Sequence, residues 1–313
     1  MIAKLLTKLK NDKYTASGFG DTSKPHGEHY IGRFAPSPSG PLHYGSLVTA
    51  LASFLDARHN GGKWLVRIED LDFFRNSDKA VLEIQNQLKE FRLLWDEEIL
   101  FQSSRISAYV KALEKLADST YLCSCTRKES QAVYQGTCRI NGADKTKSTA
   151  IRLKISSGKL RFKDEIFGYF EWKGLEDLGD FIIKRKDGIF AYHLAVVVDD
   201  LNQKITHVVR GSDLLESTPR QIDIYKKLGF NPPKYCHLPI IVDSNSYKLS
   251  KQSFAKRVDP EKAVPILRHA LKDLGQIVPR TENHGLLLKE AEKNWDIRKI
   301  PKNLKTTGPK TLV

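Results

Sequence analysis

Residues 33–47, with the sequence RFAPSPSGPLHYGSL, contain the densest group of chemically active side chains in this chain. The prolines and the glycine of 36–41 prevent regular structure there, and a helix is predicted to begin near Gly45. His43 and Ser46 are three residues apart at the start of this helix, where free N–H groups and the helix dipole favour an anion. The pattern is compatible with a phosphate-binding turn. An ordinary proline-rich turn between a strand and a helix fits it equally well.

The flanking sequence predicts the elements that position this turn. A short strand is expected over 30–35, then a helix with apolar residues at helical spacing up to a stop at Gly61, then a strand over Lys63–Ile68. In an open parallel sheet, such a unit puts its first loop at the carboxyl edge, where ligands bind. A nicotinamide-binding unit fits less well, because the G-x-G-x-x-G fingerprint is absent and only Glu69, about 20 residues past the turn, agrees with it.

Composition limits the partners and the compartment. The 313 residues include 51 Lys and Arg against 37 Asp and Glu, a net charge of +14 that favours a polyanionic partner, nucleic acid first. No run approaches the roughly 18 apolar residues of a membrane span, so no membrane partner is expected. Four cysteines, three of them within 123–138, do not resemble a secreted disulfide framework, which indicates a reducing cytoplasm.

Charged residues at the ends of predicted strands indicate a small-molecule pocket. Glu69 follows the second strand, and Arg210 ends a later one. Tyr192 is placed in the returning strand of a hairpin whose turn is Asp187-Gly188, where an ordinary half-buried strand residue is the alternative. Two arginine forks and a tyrosine around a carboxylate, with a glutamate for the ammonium, would select a dicarboxylic amino acid. The alternative for Glu69 is a surface acidic turn.

A cysteine cluster provides a second candidate site. Cys123, Cys125, Tyr134 and Cys138 place three thiols and a phenol within one short segment. Zinc takes four ligands and prefers thiolates in structural sites, so a fourth ligand must join the thiols, and Tyr134 is nearest in sequence. Spacing alone leaves a metal site and three ordinary reduced cysteines equally open. The nearby cations expected to favour thiolates are Arg127 and Lys128.

The turn sequence resembles the signature of glutamate-type class I aminoacyl-tRNA synthetases, with HYGS at 43–46 in the place of the tetrapeptide H-x-G-H. Serine at the last position is similar to the glutamyl-queuosine branch of that family, and so is the Cys-x-Cys, Tyr and Cys pattern. A K-x-x-K pair carries little information by itself in so basic a chain. In the loop after the last predicted strand, however, KLSK at 248–251 resembles the K-M-S-K-S loop, with Gln252 for the final serine.

The resemblance spans roughly residues 30–252 and implies a role for each matching residue. The lysine ammonium groups would stabilise charge that develops on the α-phosphate and on the leaving pyrophosphate. The implied catalytic set is His43, Ser46, Lys248 and Lys251, and the implied ATP-binding set, with Mg²⁺, is His43, Gly45, Ser46 and Lys251. The implied glutamate-binding residues are Arg33, Ala35, Ser37, Glu69, Tyr192 and Arg210. The implied ligands of a structural zinc ion are Cys123, Cys125, Tyr134 and Cys138.

The implied fold is an α/β protein with the Rossmann-like parallel sheet of class I synthetases. It has a zinc-containing insertion and a C-terminal helical region that contacts a tRNA stem, and it lacks an anticodon-binding domain. The predicted divisions are an N-terminal extension (1–29), the first half of the catalytic domain (30–120), the insertion (121–174), the second half (175–245), and the KLSK loop with the helical region (246–313).

The function implied by the resemblance is ATP-dependent activation of L-glutamate, followed by transfer of the glutamyl group to the queuosine base of tRNA(Asp). An enzyme without an anticodon reader can act if its target lies in the anticodon loop, so the implied partner is the tRNA(Asp) anticodon stem-loop. Two alternatives are a truncated glutamyl-tRNA synthetase that charges a tRNA 3′ end and a non-catalytic tRNA-binding paralogue. The Cys/Tyr pattern argues against the first, and the presence of His43 and Lys251 argues against the second.

Overall fold

The computed structural model describes residues 29–130, 132–240 and 257–302. The strands within these ranges are β1 (Ile31–Phe34), β2 (Lys63–Ile68), β3 (Leu100–Phe101), β4 (Thr120–Cys123), β5 (Ala150–Leu153), β6 (Lys159–Asp164), β7 (Gly168–Lys173), β8 (Phe181–Lys184), β9 (His207–Gly211) and β10 (Lys234–Leu238). The α-helices are α1 (Tyr44–His59), α2 (Asp78–Glu90), α3 (Ile106–Lys115), α4 (Thr137–Asn141), α5 (Tyr192–Asn202), α6 (Ser217–Lys227), α7 (Ala263–Asp273) and α8 (His284–Asn294).

The parallel sheet predicted from the sequence is present. Strands β1, β2 and β3 pair in parallel, and β10 pairs in parallel with both β9 and β6. The two groups meet at β1 and β9, because the backbone N–H of Thr206 donates to the carbonyl of Ile31 at 2.9 Å. The resulting order is β3-β2-β1-β9-β10, so the direction of winding reverses between β1 and β9. In open α/β sheets a crevice for ligands lies at such a reversal.

Helix α1 is predicted correctly and lies at the centre of the first core. Nearly all of its residues from Leu47 onward are buried, and Gly61 follows its end with φ +64°, the left-handed conformation that suits a helix stop. Helices α7 and α8 cover its outer side. Tyr44 Oη donates to Asp273 Oδ2 at 2.5 Å, and the indole N–H of Trp295 donates to Asp56 Oδ1 at 2.9 Å. The helices after residue 257 therefore share one core with β1 and β2.

The turn predicted at Asp187-Gly188 is present, since the backbone N–H of Arg185 donates to the carbonyl of Ile189 at 2.8 Å, but the long strand predicted after it is wrong. A single antiparallel bridge joins Lys184 and Phe190, and the following run forms helix α5. The β-branched residues of that run favour a strand, but every residue from Leu194 to Leu201 is buried, and a fully buried helix gives no polar face to show its period. Tyr192 is consequently the first residue of a helix instead of a strand residue.

The segment that follows β4 contributes to two sheets. Strands β4, β5 and β8 form an antiparallel sheet, and the β6–β7 hairpin joins the parallel sheet where Asp164 of β6 pairs with Tyr235 of β10. Strands β5 and β8, which lie before and after residue 174, therefore belong to one sheet, and strands β6 and β10 belong to the other. As a result, Asp164 and Asp180 reach side chains that the sequence places far away.

Candidate active site and metal centre

A cavity of about 280 Å³ opens at the carboxyl ends of β1 and β9, at the reversal of strand order. Residues at the ends of β1, β2 and β9 line it, together with the first residue of α5. All six residues predicted for an amino-acid pocket lie on its wall: Arg33, Ala35, Ser37, Glu69, Tyr192 and Arg210. The remaining wall is formed by Phe34, Thr49, Val209, Gly211 and Leu214, none of which was predicted.

Arg210 is held in place by His237, Thr218 and the carbonyl of Leu214, and it keeps one donor for a ligand. Its Nε donates to His237 Nε2 at 3.1 Å, and its Nη2 donates to Thr218 Oγ1 at 2.8 Å. Within the described residues, the buried Nη1 atom has no hydrogen-bond partner. A buried donor without a partner costs about 1 to 3 kcal/mol, so a carboxylate that entered the cavity would satisfy it. The orientation of the guanidinium is therefore fixed, and its Nη1 donor still lacks an acceptor.

His237 is fully buried and connects Arg210 to a carboxylate behind it. Its Nδ1 lies 2.7 Å from Asp164 Oδ2, and the same oxygen accepts its backbone N–H at 2.9 Å. Burial lowers the pKa of His237, and this effect outweighs the hydrogen bond to Asp164, which raises it. A neutral ring with its proton on Nδ1 donates to Asp164 and accepts from Arg210. The imidazole thus links Asp164 to Arg210, so Asp164 helps to fix the orientation of the Arg210 guanidinium.

A buried charge network holds the second arginine of the cavity. The carboxylate of Asp200 accepts from Arg33 Nε at 3.2 Å and lies 2.7 Å from Arg67 Nη1. Arg67 also donates to Gln203 Oε1 at 2.8 Å. Burial alone would raise the pKa of Asp200, but the two guanidinium groups outweigh it and hold that pKa below its usual value. Asp200 is therefore charged, and it fixes Arg33 at the cavity wall.

Glu69 is the carboxylic acid on the cavity wall. Burial raises the pKa of its carboxyl to about 7, and Asp200 and Asp199 act in the same direction, while Arg67 and Arg33 lower it. One carboxylate oxygen lies 3.7 Å from Arg67 Nη2. A group with a pKa so close to neutrality is only partly ionised in the empty cavity, and an ammonium ligand would favour the ionised form. Burial likewise raises the pKa of Tyr192, whose phenol remains neutral.

The predicted nucleotide residues lie at the start of α1. His43 is the N-cap, and its Nδ1 accepts the backbone N–H of Ser46 at 3.2 Å. Its Nε2 lies 2.9 Å from Ser46 Oγ, so the two side chains also contact each other directly. Arg257, the first described residue after 241–256, pairs with His43 in an antiparallel bridge. Lys248 and Lys251, the other predicted catalytic residues, lie outside the described residues.

The cysteine cluster is brought together as the sequence predicts. The Sγ atoms of Cys123, Cys125 and Cys138 all lie within 4.8 Å of one another. Tyr134 Oη is 3.5 Å from Cys123 Sγ and 3.3 Å from Cys125 Sγ. Zinc–sulfur bonds of about 2.3 Å in a tetrahedron separate sulfur atoms by about 3.8 Å, so the donor set fits one zinc ion. Burial raises the pKa of the Cys138 thiol, but hydrogen bonds from Tyr134, Cys125 and Ser124 outweigh it and lower that pKa to about 6.

Arg152 is the cation of this cluster, and the sequence did not identify it. Its Nε donates to Cys123 Sγ at 3.2 Å, and its guanidinium carbon lies 3.8 Å from the centre of the Tyr134 ring. Arg127, expected in this role, is exposed, as is Lys128. Gly179 has φ +66°, and a Cβ there would lie 2.5 Å from the backbone nitrogen of Tyr134. The cluster therefore depends on a close approach that glycine permits.

Comparison with known proteins identifies the family. The family model for the catalytic domain of class I tRNA synthetases (E and Q) matches residues 31–265. A glutamyl-Q tRNA(Asp) synthetase of Vibrio parahaemolyticus is 45% identical over 287 residues, which cover 89% of this chain and 96% of that protein. The chain belongs to the glutamyl-Q tRNA(Asp) synthetase family of class I tRNA synthetases. The corresponding protein of Neisseria meningitidis serogroup C is 43% identical over 292 residues and covers 88% of this chain and 99% of that protein.

The fold of this family member is shared with a longer protein. The crystal structure of a glutamate tRNA ligase from Elizabethkingia meningosepticum, in complex with its amino acid, matches with a TM-score of 0.75 and 25% identity. The match covers 88% of this chain and 66% of that one, so the chain spans about two thirds of the length of that ligase. Among the described residues, none of the helices has the length and apolar character needed to cross a membrane.

The supporting residues of the cavity are those that sequence reasoning missed. Asp200 ends an apolar run next to Asp199, and two carboxylates at the end of such a run are a signal that charges are paired there. His237 had no part in the pocket predicted from the sequence. Thr218 and Thr49 carried no signal, because their roles depend on which strands are neighbours in the sheet.

Proposed function

We propose that the chain activates L-glutamate with ATP, as its Mg²⁺ complex, and transfers the glutamyl group to the queuosine base in the anticodon loop of tRNA(Asp). A carboxylate oxygen of glutamate attacks the α-phosphorus, and pyrophosphate leaves. The acceptor on the RNA then attacks the glutamyl carbonyl, and AMP leaves. The observation that carries the proposal is that all six residues predicted for glutamate line one cavity in a member of the glutamyl-Q tRNA(Asp) synthetase family.

The charges on the cavity wall support glutamate as the amino acid. Arg33 and Arg210 offer two guanidinium forks for two carboxylates, and Glu69 offers a carboxylate for the ammonium. The neutral Tyr192 phenol adds a hydroxyl. Glutamine would leave one fork facing an uncharged amide, and a charge-assisted hydrogen bond is worth about 1.5 to 3 kcal/mol. Glutamate is therefore favoured over glutamine by about tenfold or more.

The nucleotide roles follow from helix α1. We assign ATP binding to His43, Gly45, Ser46 and Lys251, because free N–H groups and the positive end of the helix dipole attract phosphate oxygens. The ammonium groups of Lys248 and Lys251 would stabilise the charge that develops on the α-phosphate and on pyrophosphate. Once the adenylate has formed, transfer needs no strong general base, since the acyl group is already activated and correct positioning supplies much of the rate.

Zinc has a structural part in this proposal. Cys123, Cys125, Tyr134 and Cys138 would hold the ion and complete a tetrahedral shell without an open position for a substrate. The bound ion would fasten the end of β4 to the short helix α4. The cytoplasmic location expected from the sequence also belongs to the proposal, and the four free cysteines support it.

The test is ATP–pyrophosphate exchange with glutamate in the absence of tRNA, followed by mapping of the glutamyl product on the RNA. We expect glutamate-dependent exchange, and then label in the anticodon loop of queuosine-containing tRNA(Asp) and none in tRNA that lacks queuosine. Exchange without any tRNA-dependent incorporation would remove the transfer step. Absence of exchange, with or without tRNA, would leave only a tRNA-binding protein.

A second candidate is a short glutamyl-tRNA synthetase that charges a tRNA 3′ end. The structural similarity to a glutamate tRNA ligase favours it. The two candidates differ in the position of the glutamyl group, so periodate oxidation of the tRNA 3′ terminus before the assay separates them. The queuosine base is protected during this oxidation. Incorporation that survives oxidation of the 3′ terminus then supports the anticodon target. Incorporation that disappears supports the 3′ end.

A further inference from the structure

Two adjacent phenylalanines protrude from the surface between β2 and α2. Phe73 is 64% exposed and Phe74 is 89% exposed, in a turn closed by a hydrogen bond from the backbone N–H of Arg75 to the carbonyl of Asp72 at 3.0 Å. Single exposed apolar residues are common on protein surfaces, but two consecutive phenylalanines that are both mostly exposed place a large apolar area in water. Each of the two residues exposes more than half of its surface.

This turn is joined to a loop that lines the cavity. The backbone N–H of Glu69 donates to the carbonyl of Pro36 at 3.0 Å, and that of Ser77 donates to the carbonyl of Pro38 at 3.1 Å. The segment is thus fastened at both ends to the loop that carries Ser37. Phe73 is four residues from Glu69, so its Cα lies within about 14 Å of the Glu69 Cα even if the chain is fully extended.

Two arginines lie beside this turn, each near a carboxylate, and Arg185 also donates from Nη2 to Asp187 Oδ2 at 2.6 Å. The Asp72 carboxylate lies 3.6 Å from the guanidinium of Arg75 and 3.9 Å from that of Arg185, which comes from the end of the β8 segment. Both arginines are well exposed, Arg75 by 74% and Arg185 by 44% of the side chain. Exposed aromatic rings beside arginines are the combination that binds unpaired nucleotides, because bases stack on rings and phosphates attract guanidinium groups.

We propose that Phe73 and Phe74 form a stacking platform for unpaired bases of the RNA substrate at the mouth of the cavity. The inference rests on the proposed function, which requires one base of a loop to enter the active site. A base that leaves its stack deprives its neighbours of stacking partners. The two rings replace that lost contact, and Arg75 and Arg185 hold the backbone on either side.

The experiment measures binding and chemistry separately. The Phe73→Ala/Phe74→Ala double variant is compared with wild type for affinity to a fluorescent tRNA(Asp) anticodon stem-loop at fixed salt, and for glutamate-dependent pyrophosphate exchange without RNA. We expect the Kd for the stem-loop to rise about tenfold or more, since stacking on one ring contributes on the order of 1 to 3 kcal/mol per base. Exchange should stay within about twofold and the Tm should not change, because both rings are exposed.

Two matched variants distinguish stacking from other contacts. Phe73→Leu/Phe74→Leu keeps an apolar surface without aromatic faces and should lose as much affinity as the alanine pair. Phe73→Tyr/Phe74→Tyr keeps both faces and should bind like wild type. Tyr169→Leu, which changes an aromatic residue that is 82% exposed on β7, should have no effect. The affinity for a perfect RNA duplex should be the same for all variants.

Three results would overturn the platform. They are an unchanged stem-loop Kd in the alanine pair, full affinity in the leucine pair, and an equal loss in Tyr169→Leu. These binding results are distinct from a failure of the proposed function, which would appear as absent pyrophosphate exchange in the wild type. In that case the binding comparison still decides whether these phenylalanines contact unpaired bases.

Discussion

The cavity and the cysteine cluster both collect polar side chains, but they draw them from very different distances along the chain. The cluster uses Cys123 to Cys138, and its donors are neighbours in sequence. The cavity combines residues from Arg33 to Arg210, and it depends on Asp164 and His237 behind the wall. Local spacing can therefore predict a metal-binding set, whereas a substrate cavity needs the order of strands before its supporting residues can be named.

The largest expected effect concerns the cluster. Cys138→Ser removes a thiolate ligand, and we expect it to lose bound zinc and several kcal/mol of unfolding free energy, because metal binding contributes directly to folding. Metal analysis and thermal unfolding of the purified protein check this. The matched control is Cys236→Ser, a buried cysteine outside the cluster, which should keep one zinc ion per chain. Full zinc content in the Cys138 variant would contradict the assignment.

The next effect concerns the cavity wall. Arg210→Ala should lower kcat/KM for glutamate in pyrophosphate exchange by about 100-fold, which corresponds to about 3 kcal/mol for a charge-assisted contact. Arg210→Lys keeps the charge but cannot bond His237, Thr218 and a ligand at the same time, so it should recover only a small part of the loss. Wild-type kinetics in the lysine variant would show that charge alone is needed. The zinc content of both variants should stay normal, since the two sites are independent.

A smaller effect tests the residues behind the wall. His237→Leu leaves Arg210 on the cavity wall but removes the acceptor of its Nε. We expect KM for glutamate to rise about tenfold and the preference over glutamine to fall, because Arg210 loses its fixed orientation. His237→Gln can offer a side-chain oxygen to Arg210 and should restore part of the selectivity. If both variants show equal loss of stability and unchanged selectivity, His237 serves only the core.

The smallest effect is a pH dependence. Because the pKa of Glu69 is about 7 in the empty cavity, its carboxylate is mostly protonated at pH 6 and mostly ionised at pH 8. KM for glutamate should fall about tenfold over this range, since the ammonium binds the ionised form. Glu69→Gln should have a high KM that is flat with pH.

The raised pKa of Glu69 predicts that a rise in pH improves glutamate binding but lowers the contribution of Glu69 to stability. A raised pKa in the folded state means that the carboxyl favours folding below its unfolded pKa of about 4.3, and that this contribution is lost as the pH rises to about 7. Glu69→Gln should therefore not lower the Tm at pH 8. A lower Tm at pH 8 would show that the attraction between Glu69 and Arg67 stabilises the fold by more than the burial of the Glu69 carboxylate destabilises it.

Much of the site could be predicted because motif residues lie at the ends of elements with clear signals. The helix after His43 has apolar spacing and a glycine stop, and the strand Lys63–Ile68 has the predicted bounds. The strand predicted over the residues of helix α5 was wrong because a helix buried on all sides has no polar face, and β-branched residues then favour a strand interpretation. The partners of Arg152 and Asp200 could not be predicted from spacing, since each residue reaches them only across neighbouring strands and helices.

The contact between Thr206 and Ile31 has a consequence for folding. These residues are 175 positions apart, whereas Cys125 and Cys138 are 13 positions apart. Closing the longer loop costs about 2 kcal/mol more chain entropy, and nonlocal parallel pairing is intrinsically slow. The cysteine cluster can therefore form early, while the amino-acid cavity exists only after β9 has reached β1. A ligand of that cavity consequently stabilises the completed fold and gives no help to the steps before it.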